Sequence, residues 1–388
     1  MFCNGVFLLL PNLFTTMEKS LLYLKYTGII FIKYEKYLSK MHKKKKMSNK
    51  LPIKAYFQLD KKDRKILQAL FSNGRIPISQ IAKRVALSKE VVGYRLKRME
   101  ETGILIGHNT IISVKKLGWE MAIVSFRLRN IDIEKEKKII EHLKKHPHVA
   151  WVVKCIGNYD IVTKMFVQNM TKLQNIVKII EEMFYLYIDD YKIDILLKEQ
   201  AVPLSFLYDT KDKTSLYTLS QDTEQVPINK LDLQILKNIA TNARMTIGDL
   251  ASRVAVSRDV VSYHIKALEK NKIILKYRPS TWVDVQKMGY SWYILRLKVG
   301  KLSSSLEQSL TSFLLNYLYV TYFYKTMGNN DLQIELRLPN TIELNTFLME
   351  IRSILKEVLK QFELLLILEE HKYTYFPECL ESNTKHLS

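Results

Sequence analysis

Two short runs carry the side chains best suited to chemistry, and in both that chemistry is recognition rather than bond making. In the first, Ser88, Lys89, Gly93, Tyr94, Arg95, Lys97 and Arg98 fall on the outer surface of one helix. In the second, Ser257, Arg258, Ser262, Tyr263, His264 and Lys266 do the same. Lysine and arginine neutralise phosphates, arginine also grips guanine through two hydrogen bonds, and serine or histidine touches base edges less selectively. Arg95 is therefore the candidate for guanine, and Lys83, Arg84 and Arg253 are candidate phosphate anchors.

Other chemistries find little support. Cys3, Cys155 and Cys379 are far apart and form no CxxC pair, which fits a reducing cytoplasm and suggests neither zinc nor a disulfide framework. His142 and His146 stand one helical turn apart with His148 close behind, but Pro147 and the lysines around them mark a helix end rather than a metal site. No glycine-rich phosphate loop, nucleophile elbow or HExxH motif occurs. No metal, no cofactor and no catalysis are expected.

The formal charge of +21 points the same way as the two runs, because such an excess favours polyanions. It is not spread evenly. Residues 1–50 carry +8, 51–108 carry +7 and 228–278 carry +6, whereas 109–227 carry +1 and 279–388 carry −1. The basic segments are thus those that hold the two runs, together with the N-terminus. In that N-terminal segment Pro11, Asn12 and Lys25 interrupt the apolar stretches, so a membrane span or export signal is not expected. Met17, Met41 and Met47 leave three readings open: upstream sequence without function, a basic DNA-contacting arm centred on His42–Lys46, or a membrane-associated helix.

Stepping from residues to elements, the chain repeats itself. Asp63–Leu67, Asn73, Arg75, Ala82, Ser88, Val91, Val92, Tyr94 and Lys97 recur as Asp232–Leu236, Asn242, Arg244, Ala251, Ser257, Val260, Val261, Tyr263 and Lys266, at an offset of 169. Gly157-Asn158-Tyr159-Asp160 recurs as Gly328-Asn329-Asn330-Asp331 at an offset of 171. Apolar spacing in each copy predicts three short helices, the last capped by Ser88 or Ser257, with Val91, Val92, Leu96 and Met99, or Val260, Val261, Ile265 and Leu268, turned inward. Thr246-x-x-Asp249 is a capping-box pattern. A short helix, a tight turn and a longer basic helix make a helix-turn-helix. The runs Ile104–Val114 and Ile273–Val285 read as wing hairpins. A strand, helix, two strands, helix and strand then follow in each copy, the βαββαβ order of a ferredoxin-like sandwich.

The expected fold class is α+β, with two winged helix-turn-helix domains (51–108 and 228–278) alternating with two ferredoxin-like βαββαβ domains (109–205 and 279–376). A basic segment (1–50), a polar linker (206–227) and a tail (377–388) complete the chain. Trp151, Tyr185, Tyr187, Trp292 and Tyr319 are expected in cores or between sheets.

The pattern Leu59-Asp60-x-x-Asp63-x-x-Ile66-Leu67, Asn73-x-Arg75, Ile81-Ala82, Leu87-Ser88 and Arg95-x-x-x-Met99-Glu100-x-x-Gly103-Ile104 resembles the N-terminal domain of the Lrp/AsnC family of transcriptional regulators. Leu117-Gly118 and Gly157–Asp160 resemble landmarks of that family's regulatory domain. The second copy is similar but weaker, with His264 in place of Arg95 and Lys272 in place of Gly103. The resemblance implies binding to double-stranded DNA. It also implies a small effector such as an amino acid near Gly157, Asn158, Tyr159, Asp160, Gly328 and Asp331, and pairing of the two copies within the chain, with a homodimer left open. Because Gly93 faces Ser262 and Arg95 faces His264 in the alignment, unequal half-sites are expected. Sirohaem decarboxylases also look like this family; they carry a histidine-rich strand pair where this chain has Val152–Asp160. A winged helix used only for protein contacts would not need basic reading helices.

Overall fold

The computed structural model describes residues 59–202, 204–207, 217–220, 224–280 and 289–381. The basic N-terminal segment, the candidate start methionines, the second strand of the expected wing after 280 and the last seven residues of the tail lie outside them.

Helix α1 (Lys61–Ser72) starts where the Asp60 carboxylate accepts the Lys62 and Asp63 N–H groups and the Asp63 carboxylate accepts the Asp60 N–H. Such a cap stabilises a helix by about 1 kcal/mol. Asn229 and Asp232 do the same for α6 (Lys230–Ala240). Helices α2 (Ile78–Val85) and α7 (Ile247–Val254) both end on a left-handed alanine, Ala86 at φ 51° and Ala255 at φ 56°, which turns the chain sharply into the third helix. At α7 the Asp249 N–H donates to Thr246 Oγ1, as the capping pattern predicts. The third helices, α3 (Lys89–Glu101) and α8 (Arg258–Lys270), begin where Ser88 Oγ and Ser257 Oγ each accept a backbone N–H, at 3.3 Å.

The expected wing hairpin of copy one needs correcting in its pairing. Among the described residues each run contributes one strand, and the two pair with each other: β1 (Gly107–Ile112) lies antiparallel to β7 (Ile274–Ser280). A ribbon shared between copies satisfies the strand hydrogen bonds that separate hairpins would have satisfied locally. The expected linker is corrected too, because Tyr217–Ser220 within it forms strand β6 against β5 (Ile188–Ala201).

Copy one continues as β2 (Glu120–Leu128), α4 (Ile133–Lys145), β3 (Val149–Ile156), β4 (Ile161–Val167), α5 (Met170–Met183) and β5. Copy two gives β8 (Ser291–Val299), α9 (Ser304–Asn316), β9 (Val320–Gly328), β10 (Leu332–Leu338), α10 (Thr341–Leu355) and β11 (Leu359–Tyr373). Strands β5 and β11 run further than their alternation predicts, because the second half of each pairs with the other copy, β5 with β9 and β11 with β3. The order β2-β4-β3-β11-β8-β10-β9-β5 then closes through β5 and β2. Helices α4 and α5 cover one outer face around Ala122, Val124 and Phe126, and α9 and α10 cover the other around Leu295, Leu297 and Phe347. No described helix is long and apolar enough to cross a membrane.

The inner face of this closed sheet is unlike an ordinary core. Arg296 is fully buried, its Nε on Gln333 Oε1 (3.1 Å), Nη1 on Glu363 Oε2 (3.2 Å) and Nη2 on Ser125 Oγ (2.7 Å). Lys164 pairs with Glu199 at 2.8 Å, and Trp151, facing Trp292 at 6.0 Å, donates its Nε1–H to Glu370. At the 171-residue offset Lys164 aligns with Glu335, Glu199 with Glu370 and Ser125 with Arg296. The glutamate is kept but its partner changes from Lys164 to Trp151, and at the other two positions the two sides of the axis carry different residues.

Candidate nucleic-acid interface

Each reading helix is held against its first helix through an aspartate at the same repeat position, fully buried in copy one and partly buried in copy two. The Asp63 side chain is 0% exposed and accepts Arg95 Nη1 at 2.8 Å and Arg98 Nη2 at 2.7 Å, while Arg95 also reaches Asp60 at 2.6 Å. Burial pushes the Asp60 carboxyl up, but the Asp63 N–H and the Arg95 guanidinium outweigh it and hold it below the usual carboxylate range. The same carboxylates raise Arg95, so its charge is permanent. In copy two His264 Nδ1 meets Asp232 Oδ1 at 2.7 Å.

This revises three expected DNA contacts. Arg95, Arg98 and His264 lie half-buried along the α1 or α6 side of their helices. Arg95 Nη1 serves two carboxylates, which draws its guanidinium back toward α1. The remaining expected residues do share an outward face. Ser88, Lys89, Tyr94 and Lys97 are exposed on α3, as are Ser257, Arg258, Tyr263 and Lys266 on α8, with Gly93 and Ser262 half-buried between them. A side chain at Gly93 would meet nothing within 4 Å, so open space lies above it. Lys83, Arg84 and Arg253 are exposed on the preceding helices, where phosphate anchors would be. At the tip of α3 the backbone N–H of Glu90 and the Ser88 side chain lower the Glu90 carboxyl, as a helix N-terminus does.

Two side chains were missed. Val91 and Val260, expected inward, are 40% and 39% exposed beside Tyr94 and Tyr263 at 67% and 70%. Adjacent valines at i and i+1 straddle the edge of an apolar stripe, and here only Val92 and Val261 reach the core.

The two units are locked to one another by reciprocal contacts. Arg75 Nη2 donates to the Met245 carbonyl (3.0 Å) and Arg244 Nη2 to the Ile76 carbonyl (3.2 Å), positions that correspond under the 169-residue repeat. Likewise the Gly74 N–H donates to the Tyr277 carbonyl (2.9 Å) and the Ala243 N–H to the His108 carbonyl (2.7 Å). Gly74 has no room for a Cβ, which would sit 2.8 Å from the Arg278 nitrogen. The shared ribbon and these bonds fix the spacing of the reading helices.

The turns expected to touch an effector are engaged in packing. Gly157 has φ +148°, and a Cβ there would strike Leu365 Cδ2 at 2.5 Å; Gly328, at φ +150°, would strike the Ile193 carbonyl at 2.5 Å. Asn158 donates to Glu363, Tyr159 is buried beneath the Arg296 guanidinium, and Asp160 and Asp331 accept the N–H groups of Leu128 and Val299. The histidines lie in a row with tilted rings, His142 to His146 at 6.1 Å and His146 to His148 at 5.8 Å. His148 Nδ1 contacts the Phe166 carbonyl and His146 Nδ1 accepts the His148 N–H. Among the described residues no group of three histidine, cysteine or acidic side chains is arranged to hold a metal. In the Val152–Asp160 strand pair the interior position is Cys155, whose thiol burial pushes up to about 12. Nothing there offers a haem iron an axial imidazole. Trp151 and Trp292 pack between the sheets as expected, but Tyr185 is 63% exposed and belongs to no core.

A family model for winged helix-turn-helix DNA-binding domains matches residues 59–106 and 228–274. The HTH-type transcriptional regulator FL11 of Pyrococcus furiosus is 29% identical over 30% of this chain and 76% of its own length. The proline dehydrogenase transcriptional activator of Rhodobacter capsulatus is 31% identical over 28% of this chain and 70% of its own. Among solved structures, that of the siroheme decarboxylase NirDL superposes with a TM-score of 0.58 and 15% identity, covering 84% of this chain and 98% of NirDL. That likeness is one of fold: two joined copies of the same unit.

Proposed function

The chain belongs to the Lrp/AsnC family, and from that premise we propose that it regulates transcription by binding specific double-stranded DNA through both of its helix-turn-helix units. The observation that carries the proposal is the reciprocal lock of Arg75 and Arg244, which holds two basic, outward-facing reading helices at a fixed spacing. Fixed spacing is what a regulator needs to address two half-sites on one duplex. Lys89 and Lys97 on one helix and Arg258 and Lys266 on the other supply the phosphate attraction. Because the helices differ at Gly93 and Ser262, the half-sites are unequal. Control by a small amino-acid effector, which the family implies, is kept in the proposal without an assigned site. Selection of duplexes from a random pool by the full chain, followed by a salt titration, tests it. Selective binding that weakens steeply with salt is expected, and weak binding that ignores sequence would overturn it.

A second reading, a tetrapyrrole decarboxylase, is favoured by one observation: the whole-chain likeness to NirDL. Against it stand the Val152–Asp160 strand pair, which carries no histidine, and the buried thiol of Cys155. An absorbance scan of the purified protein after incubation with sirohaem separates the two. A stoichiometric Soret shift with loss of selective DNA binding supports the enzyme, and an unchanged spectrum supports the regulator.

A further inference from the structure

We propose that both reading helices recognise thymine through its C5-methyl group, using the pairs Val91/Tyr94 and Val260/Tyr263. This deepens the regulator reading and rests on it.

The polar side chains that would ordinarily read bases are committed elsewhere. Arg95 and Arg98 hold Asp63, and His264 holds Asp232. The Arg258 guanidinium lies back toward α7, 3.2 Å from where a Gly248 Cβ would be, and Ser88 faces the Glu90 carboxylate at the tip of α3. What stands out from the middle of each helix is a valine, a tyrosine one turn on and a lysine one turn beyond that: Val91, Tyr94, Lys97 and Val260, Tyr263, Lys266. Residues three apart on a helix share a face. A valine some two-fifths exposed and a tyrosine some two-thirds exposed recur at the same positions in both copies.

In the major groove the thymine methyl is the apolar mark by which A·T and T·A pairs differ from G·C and C·G, and branched aliphatic or aromatic side chains match it. Valine methyls and the edge of a tyrosine ring fit that mark, while Lys97 and Lys266 lie one turn further along, where the groove wall brings phosphates. The open space over Gly93 lets the duplex approach α3 more closely than α8, where Ser262 stands. Thymine contacts at the two half-sites therefore differ in depth.

The test uses the full chain and a duplex selected from a random pool, synthesised once with thymine and once with deoxyuridine, which lacks only the methyl. Wild-type protein should lose roughly fourfold in affinity for each methyl removed from a contacted base, from the transfer free energy of one such group. V91A combined with V260A should weaken binding to the thymine duplex and leave the uracil duplex almost unaffected. Both sites are partly exposed, so folding should survive, and an unchanged Tm checks this. Equal affinity of wild-type protein for the two duplexes, with selectivity retained, would overturn the proposal and leave the regulator standing. Failure to select any duplex would overturn both, and would mark the exposed Val–Tyr pairs as a protein-contact surface.

Discussion

Arg296 Nη2 donates to Ser125 Oγ at 2.7 Å, and the two residues occupy the same position in the two copies. A hydrogen bond between equivalent positions means that they face one another across the axis of the fused pair. Were copy two to pair with itself, two guanidiniums would meet there in a buried space, each beside its own Glu363. The duplication has therefore lost the symmetry of a homodimer at its centre while keeping it at the edges, where Arg75 and Arg244 still mirror each other.

Arg296→Ser should cost about 3 kcal/mol of stability in urea unfolding, because it removes the buried cation that Glu363 and Gln333 surround. Ser125→Arg should cost more, and Ser125→Ala only about 1 kcal/mol, since it loses one hydrogen bond. A Ser125→Arg protein as stable as the wild type would contradict the placement of the axis.

Asp63→Asn should destabilise by about 2–4 kcal/mol, short of the loss for a fully buried pair because Arg95 and Arg98 keep some solvent. Asp232→Asn should cost about 1 kcal/mol, because a histidine hydrogen bond replaces two arginine contacts. Paired denaturation curves would show this ranking or reverse it.

The two glycine turns should respond unequally. Gly328→Ala forces a Cβ onto the Ile193 backbone carbonyl, whereas Gly157→Ala meets first the mobile end of the Leu365 side chain. The positive φ strains both, so both should lower the Tm, Gly328→Ala by more. Equal shifts would mean that backbone strain alone decides.

Burial first, and neighbouring positive charge second, lower the imidazoles of His108 and His146 to about 4, against an ordinary value near 6.5. A histidine lowered on folding must stay neutral. The stability it contributes is complete above pH ~6.5 and is lost as pH falls toward ~4. Tm should therefore drop between pH 7 and pH 5, and the double variant H108N/H146N should drop less steeply; parallel slopes would rule these two out as the cause.

How much of this was legible in the sequence depended on range. The repeat, the capping serines and the βαββαβ order are local patterns, and the helices fall within a few residues of where periodicity puts them. Contacts between copies were not legible. Arg75 and Arg244 read as motif residues, but their acceptors are carbonyls some 170 positions away. The β1–β7 ribbon looked like two hairpins because a strand does not announce its partner. Arg95 looked like a base reader for the same reason, although one signal was available: Asp63 and Asp232 each lie 32 residues before the side chain they bind, and both copies keep an acid there.

Hydroxyl-radical footprinting of a selected duplex by the full chain tests the central claim most directly. Two protected blocks of unequal strength are expected on one duplex, one weakened by Lys97→Ala with Tyr94→Ala and the other by Lys266→Ala with Tyr263→Ala. A single block that neither pair of substitutions alters would contradict it.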